Sequence, residues 1–225
     1  MNSIELKTLD KGFVRLVDSM GNDSSIVQAA RVSYADGTKT LREDEKLIDY
    51  LIRNDHLTPL EMVEFKFHIK CPIFVARQMF RHRTASINEV SARYSIMKDE
   101  FYIPELSRMQ KQSTKNKQGS EGELSEEAQR KCLGIIRVAS QNAYAHYEQL
   151  LKAGLSRELA RMVLPVNLYT EFYWKIDLRN LLNFIRLRSD SHAQKEIVDY
   201  SNNLLRIVKT VAPVACKSIE AELGN

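Results

Sequence analysis

Hydrophobic and polar positions along the chain alternate in two distinct periods. From Ile4 to Val17 the pattern is strand-like on both sides of Asp10-Lys11-Gly12, which predicts a hairpin with its turn at those residues. In Glu64–Pro72, Phe65, Phe67 and Ile69 alternate with Lys66, His68 and Lys70, the period of a half-buried strand. Leu168–Ile176 carries the aromatic and β-branched residues that suit a third strand segment.

Helical spacing covers most of the rest. Ser24–Ser33 reads as a helix, with Asp23 or Ser24 able to accept from its first amides. Leu47, Ile48, Leu51 and Ile52 mark a second helix with charge on its other face. Pro72 is suited to end a strand and open a helix that delivers Arg81–Arg83 near its end. Ser86-Ile87-Asn88-Glu89 matches S-x-x-E, which predicts a capping box and a new helical turn presenting Glu89, Ser91 and Arg93.

Leu133, Ile136, Ala143, Tyr147 and Leu150 predict a long helix ending at Gly154. A short helix before Pro165 and two further helices follow, with Pro213 interrupting the last segment. Between Ser107 and Glu127 the chain is polar and poor in large apolar residues, which predicts a mobile excursion. The pattern as a whole is α+β: a single helix-rich domain over residues 1–225 with a central, mainly antiparallel sheet.

Composition narrows the function classes. A net charge of +4 in 225 residues is mildly basic and compatible with nucleic acid or phosphorylated small molecules. Cys71, Cys132 and Cys216 are too few and too scattered for a disulfide framework or a CxxC metal site, which favours a reduced, cytoplasmic setting. The first twenty residues lack the pattern of a signal peptide, and no apolar stretch is long enough to span a bilayer.

Neither GxGxxG, GxxxxGK[ST] nor HExxH occurs, so a phosphate would be held by side chains. Arginine suits that task, with a planar fork of donors and a permanent charge. One cluster holds Arg77, Arg81, Arg83 and Arg93 among Gln78, His82, Ser86, Asn88, Glu89 and Ser91. A second holds Arg157, Arg161, Arg179, Arg186 and Arg188 with Asn183, Asp190 and His192. Basic residues at a helix C-terminus also meet its partial negative charge, and a lone Arg-His-Arg would need no other explanation.

The run RHRTASINEVSAR, Arg81–Arg93, matches the pattern RHRxxSxNExSxR, and with it the chain resembles the flavin-dependent thymidylate synthases. AARVSY, HLTPLE, PIFVARQMF, RYS, FYIP, ELARMVLPVNLYTEFYW and LRNLLNFIRLRSDSHAQ extend the resemblance, whereas Ser107–Glu127 and the C-terminal tail carry none of it. The resemblance implies dUMP contacts at Gln78, Met79, Phe80, Arg81, Glu89 and Val90. It extends that set to Ser91, Ala92, Arg93, Arg161 and Arg188, with Arg188 as the catalytic residue that favours an N3-ionised uracil.

For FAD it implies Thr58, Arg81, His82, Arg83 and Glu89, together with Asp177, Leu178, Arg179 and Asn183; Ser33 and His56 lie near the cofactor. Asp177 stands where the family usually has asparagine, replacing a donor and acceptor by an acceptor alone. The implied reaction turns dUMP into dTMP, with 5,10-methylenetetrahydrofolate as carbon donor and NADPH as reductant of FAD. The implied assembly is a homotetramer with shared active sites, with no nucleic-acid or membrane partner.

The residues themselves are compatible with that chemistry. None of the three cysteines sits in a sequence context that prepares a thiolate, so packing is the simpler reading for each. An arginine stabilising negative charge on the ring is an electrostatic alternative to thiolate attack. Ser91 lacks an adjacent base, and Asp190 with His192 is too small a set for a metal site. His68 needs no role, and Tyr169, Phe172, Tyr173 and Trp174 read as packing aromatics. Two rivals are a nucleic-acid-binding module using the same arginines, against which Glu89 and Asp190 argue by charge, and a flavoprotein for another nucleotide.

Overall fold

A five-stranded sheet, its strands in the spatial order β1 (Glu5–Thr8), β2 (Gly12–Met20), β3 (Glu64–Pro72), β7 (Tyr169–Asp177) and β4 (Ser86–Glu89), carries the molecule, and every pairing in it is antiparallel. The computed structural model describes residues 4–32, 41–190 and 192–223; Ser33 lies outside them. In chain order the main elements are β1 (Glu5–Thr8), β2 (Gly12–Met20), α1 (Asp23–Val32), α2 (Leu41–Arg53), β3 (Glu64–Pro72), α3 (Ile73–Met79) and β4 (Ser86–Glu89). There follow β5 (Gln110–Gln112), β6 (Ser120–Glu123), α4 (Glu126–Lys152), α5 (Arg157–Ala160), β7 (Tyr169–Asp177), α6 (Leu178–Arg188), α7 (Lys195–Val208) and α8 (Pro213–Leu223).

The alternation of β3 is realised in register. Phe65, Phe67 and Ile69 stand opposite Ile176, Trp174 and Phe172 of β7, and all six are buried. On β2, Val14 and Leu16 continue the same apolar face opposite Ile69 and Phe67. Helices α1, α2, α3, α6, α7 and α8 contribute their apolar stripes to that one core. Helix α4 covers a smaller cluster formed by Met97, Phe101, Tyr147, Ala160 and Leu168. Gly12 is required by close approach: a Cβ there would fall 2.0 Å from the hydroxyl oxygen of Tyr200. That hydroxyl donates to the Lys70 carbonyl at 2.6 Å and ties α7 to the sheet.

Three local expectations are corrected. Ser86–Glu89 is a strand paired with Phe172–Lys175, not a capping turn, because the edge of β7 offers it a full ladder of backbone partners. Asn22, not Asp23 or Ser24, accepts the Ser24 amide at the start of α1; Asp23 instead accepts from the amides of Val214 and Ala215 and caps α8. Pro72 is the last residue of β3 and precedes the first helical residue of α3. The polar stretch Ser107–Glu127 contains the paired strands β5 and β6.

Candidate active site

Two helix ends bring the arginines together. Helix α3 buries Val75, Ala76 and Met79 and ends at Met79; the next residues, Phe80 and His82, still bond back to Ala76 and Met79. Helix α6 buries Leu178, Leu181, Leu182, Phe184 and Ile185, which turns Asn180, Asn183 and Leu187 outward at i, i+3 and i+7. Between them opens a cleft of about 750 Å³ lined by Arg77, Gln78, Arg81, His82, Arg83, Thr84, Asn180, Asn183, Leu187 and Arg188, with Gln118 reaching in from the β5–β6 hairpin. Gln78 donates to Gln194 at 2.6 Å, joining α3 to the loop before α7.

Positive charge gathers in this cleft. Among the described residues, Arg77, Arg81, Arg83 and Arg188 have no carboxylate partner, whereas Arg93, Arg108 and Arg179 each hold one. Arg188 ends α6 and Arg81 follows the end of α3, so the partial negative charge of each helix terminus offsets part of the repulsion. Burial, and then the charge of Arg81, lower the pKa of Arg188 from the ordinary guanidinium value.

Arg188 donates from Nε to His82 Nε2 at 3.3 Å. That bond requires an unprotonated Nε2. Burial and the neighbouring Arg188 lower the His82 pKa from 6.5, which keeps the ring neutral. His82 stands edge-on to Phe184 with ring centroids 4.8 Å apart, and Phe184 meets Trp174 at 5.2 Å. The core therefore orients the histidine, and the histidine orients the arginine.

A second, smaller cleft of about 290 Å³ adjoins the first through Asn180 and Asn183, which line both. Arg179 lines it and pairs with Glu61 in the short helical turn Thr58–Met62. Leu57, Leu60, Leu182 and Ile219 form the apolar part of its wall, beside the polar Asp55, Asn180, Asn183 and Arg186. Asp177 is the N-cap of α6, accepting from the Asn180 amide at 2.9 Å and side chain at 2.7 Å. Leu178 is fully buried; Thr58 and His56 are exposed.

The remaining predicted residues lie on another surface. Glu89 accepts from the Thr170 hydroxyl at 2.6 Å, and the Val90 amide donates to Glu171 at 2.9 Å. Ser91 accepts from the Arg93 amide, Ala92 packs beside the smaller core, and Arg93 and Arg161 converge on Glu158. Glu89 and Val90 border a hollow of about 440 Å³ with His68, Lys70, Glu171 and Tyr173. One chain thus brings Gln78, Arg81, His82, Arg83 and Arg188 together, and groups Glu89–Arg93 with Arg161 elsewhere.

His68, for which the sequence demanded no role, lines that hollow. Its Nε2 is 3.1 Å from Glu171, its Nδ1 is 3.3 Å from Arg15, and its ring stacks on Tyr173 at 4.9 Å. Cys71 and Cys216 are buried, and burial raises both thiols, Cys216 to about 12. Asp190 bonds to His192. Asn180, Gln194 and Gln118 are lining or bridging residues absent from the sequence expectations; the spacing of Asn180 with Asn183 and Leu187 was a legible signal for the first.

Residues 15–214 match the thymidylate synthase complementing protein family. Curated relatives named flavin-dependent thymidylate synthase are 58% identical over 220 residues in Thermus thermophilus, covering 98% of this chain and 80% of that protein, and 55% identical over 222 residues in Treponema denticola, covering 98% and 84%. This chain belongs to the flavin-dependent thymidylate synthase family.

It is accordingly an enzyme, a methyltransferase. A solved structure of the UMP/dUMP methylase PolB from Streptomyces cacaoi, bound with 5-Br dUMP, superposes with a TM-score of 0.87 at 31% identity, covering 96% of this chain and 97% of that one. The β5–β6 hairpin lies within residues 15–214, the span matched to the thymidylate synthase complementing protein family. No described helix is long and apolar enough to cross a membrane.

Proposed function

We propose that this enzyme converts dUMP to dTMP, taking the carbon from 5,10-methylenetetrahydrofolate and reducing equivalents from NADPH through FAD. The observation that carries the reading is the cleft in which Arg77, Arg81, Arg83 and Arg188 lie without carboxylate partners among the described residues. Unneutralised guanidinium groups at one cleft are suited to a phosphorylated ligand, which replaces lost hydration with charge-assisted bonds.

Arg188 is the residue we assign to activation. Its guanidinium is half-buried, and a charge in a poorly hydrated site interacts more strongly with an ionised ring than one in water. His82 holds it by the Nε–Nε2 bond and, being neutral, adds no competing charge. The buried cysteines with raised thiol pKa values support an arginine-based activation over thiolate attack.

The residues of the second cleft fit a flavin dinucleotide: Arg179, Asn183 and Arg186 offer donors to a pyrophosphate, and the leucines and Ile219 offer an apolar wall. Thr58, Arg81, His82, Arg83, Asp177 and Leu178 complete the proposed FAD set, with Asp177 contributing through the helix start that it caps. When bound, the flavin supplies hydride chemistry that no side chain performs. Gln78, Met79, Phe80 and Arg81 form one proposed dUMP surface, with the fully buried Met79 able to contribute through its backbone alone.

Glu89–Arg93 and Arg161 form the other dUMP surface, and Glu89 also belongs to the proposed flavin set. Their separation in one chain supports a site shared between copies in a homotetramer. The reading places the enzyme in the cytoplasm.

Purified protein supplied with FAD, dUMP, 5,10-methylenetetrahydrofolate and NADPH is expected to release dTMP. Failure to oxidise NADPH or to form dTMP sinks the proposal. For the shared site, mixing inactive Arg188→Ala with inactive Arg93→Ala, followed by subunit exchange, is expected to restore part of the activity; complete absence of recovery refutes the sharing.

A further inference from the structure

The β5–β6 hairpin has no hydrophobic reason to stand where it does. Between Gln110 and Glu123 the sequence QKQSTKNKQGSEGE contains no large apolar side chain. Its base is held instead by a buried ion pair: Arg108 donates from Nε and Nη2 to the two carboxylate oxygens of Glu196 at 2.9 and 3.1 Å. Glu196 is 3% exposed and also accepts from the Tyr102 hydroxyl at 3.1 Å. The third Arg108 nitrogen donates to Ser120 at 3.2 Å, and Ser120 donates to Gln110 at 3.0 Å, so the ion pair is continuous with both strands of the hairpin.

The tip is equally built. Buried Ser113 accepts from the amides of Lys115 and Asn116, Gln112 donates to the carbonyls of Lys117 and Gly119, and the Gln118 amide donates to Asn116 Oδ1 at 3.1 Å. Gln118, at this tip, lines the arginine cleft together with Arg81 and Arg188. Gln118 also borders the polar hollow beside Gln194, which is the bonding partner of Gln78. It therefore stands at the Gln78 end of the cleft, whereas the adjoining cleft with Arg179 is reached at the Asn180–Asn183 end.

We propose that Gln118, carried over the arginine cleft by the hairpin, is a substrate-binding residue whose carboxamide hydrogen-bonds the bound pyrimidine nucleotide. The inference rests on the dUMP reading of the cleft. A carboxamide adds what the arginines lack, because it both donates and accepts and so matches a pyrimidine edge or a sugar hydroxyl. Arg108 is the corresponding positioning residue, acting through the hairpin and not on the ligand.

The test is calorimetric titration of the FAD-loaded enzyme with dUMP, alongside FAD affinity and thermal melting. Gln118→Ala is expected to raise the dUMP dissociation constant about threefold to tenfold, the loss of one net hydrogen bond, with KM rising similarly. Gln118→Glu is expected to weaken dUMP further, because its carboxylate competes with the nucleotide for the arginines. Both variants are expected to keep FAD affinity and melting temperature, since Gln118 is an exposed tip residue. Wild-type binding with an unchanged constant for Gln118→Ala overturns this proposal alone, as does a loss of FAD affinity in place of dUMP affinity. Absence of dUMP binding by the wild type overturns the functional reading and this proposal with it.

Discussion

Arg188 and His82, 106 residues apart in sequence, are joined by a 3.3 Å bond in which the arginine donates and the histidine accepts. The bond exists only while His82 is neutral, and the arginine it orients faces the cleft assigned to the nucleotide. Protonation of His82 removes the acceptor and places a second cation beside Arg188.

The pH dependence follows from the lowered His82 pKa. Activity is expected to be full above pH 6.5 and to decline on an acid limb lying below that value. Stability shares the sign: the unfolded chain takes up a proton that the folded chain resists, so this contribution is whole above 6.5 and is lost as pH falls through the folded value. Profiles of kcat/KM for wild type and His82→Gln check it; an identical acid limb in both assigns the limb to another group.

Arg188→Ala is expected to lower kcat for dTMP formation by about a hundredfold to a thousandfold, the range for loss of one preorganised electrostatic contact. Bound flavin, measured by its visible absorbance, is expected to be largely retained. Unchanged turnover refutes the activating role.

Asp177→Ala removes the N-cap of α6 and is expected to cost about 1 kcal/mol in urea unfolding. Asp177→Asn keeps an accepting oxygen and is expected to stay within a few tenths of a kcal/mol of wild type. FAD affinity is expected to follow the same order, because Arg179 and Asn183 lie on the first two turns of that helix.

Glu196→Ala leaves Arg108 partly buried without its carboxylate and is expected to destabilise the fold by about 3 kcal/mol. A urea midpoint equal to wild type contradicts that placement.

Replacing Cys71, Cys132 and Cys216 together by alanine is expected to leave turnover within a few-fold of wild type while lowering the melting temperature. The buried thiols at positions 71 and 216 contribute packing, not nucleophilicity. Loss of turnover without loss of fold implicates a cysteine.

Where the chain meets one environment along a whole element, its sequence determined the outcome. Period two in Glu64–Pro72, the stripe of α4 and the stop at Gly154 all appear as read, and the first hairpin turns at Leu9–Lys11, one residue before the expected Asp10–Gly12, because one face of each element meets apolar neighbours and the other does not. The Arg81–Arg93 pattern was equally legible, since side-chain chemistry is spelled residue by residue. Partners contributed by distant segments were not. Ser86–Glu89 carries the letters of a capping box, yet pairing with β7 outweighs that local preference. The placement of Glu89–Arg93 away from Arg81–Arg188, the bond from His82 to Arg188 and the reach of Gln118 into the cleft were decided by tertiary packing. Each depends on which surfaces the core brings face to face, and no local periodicity encodes that.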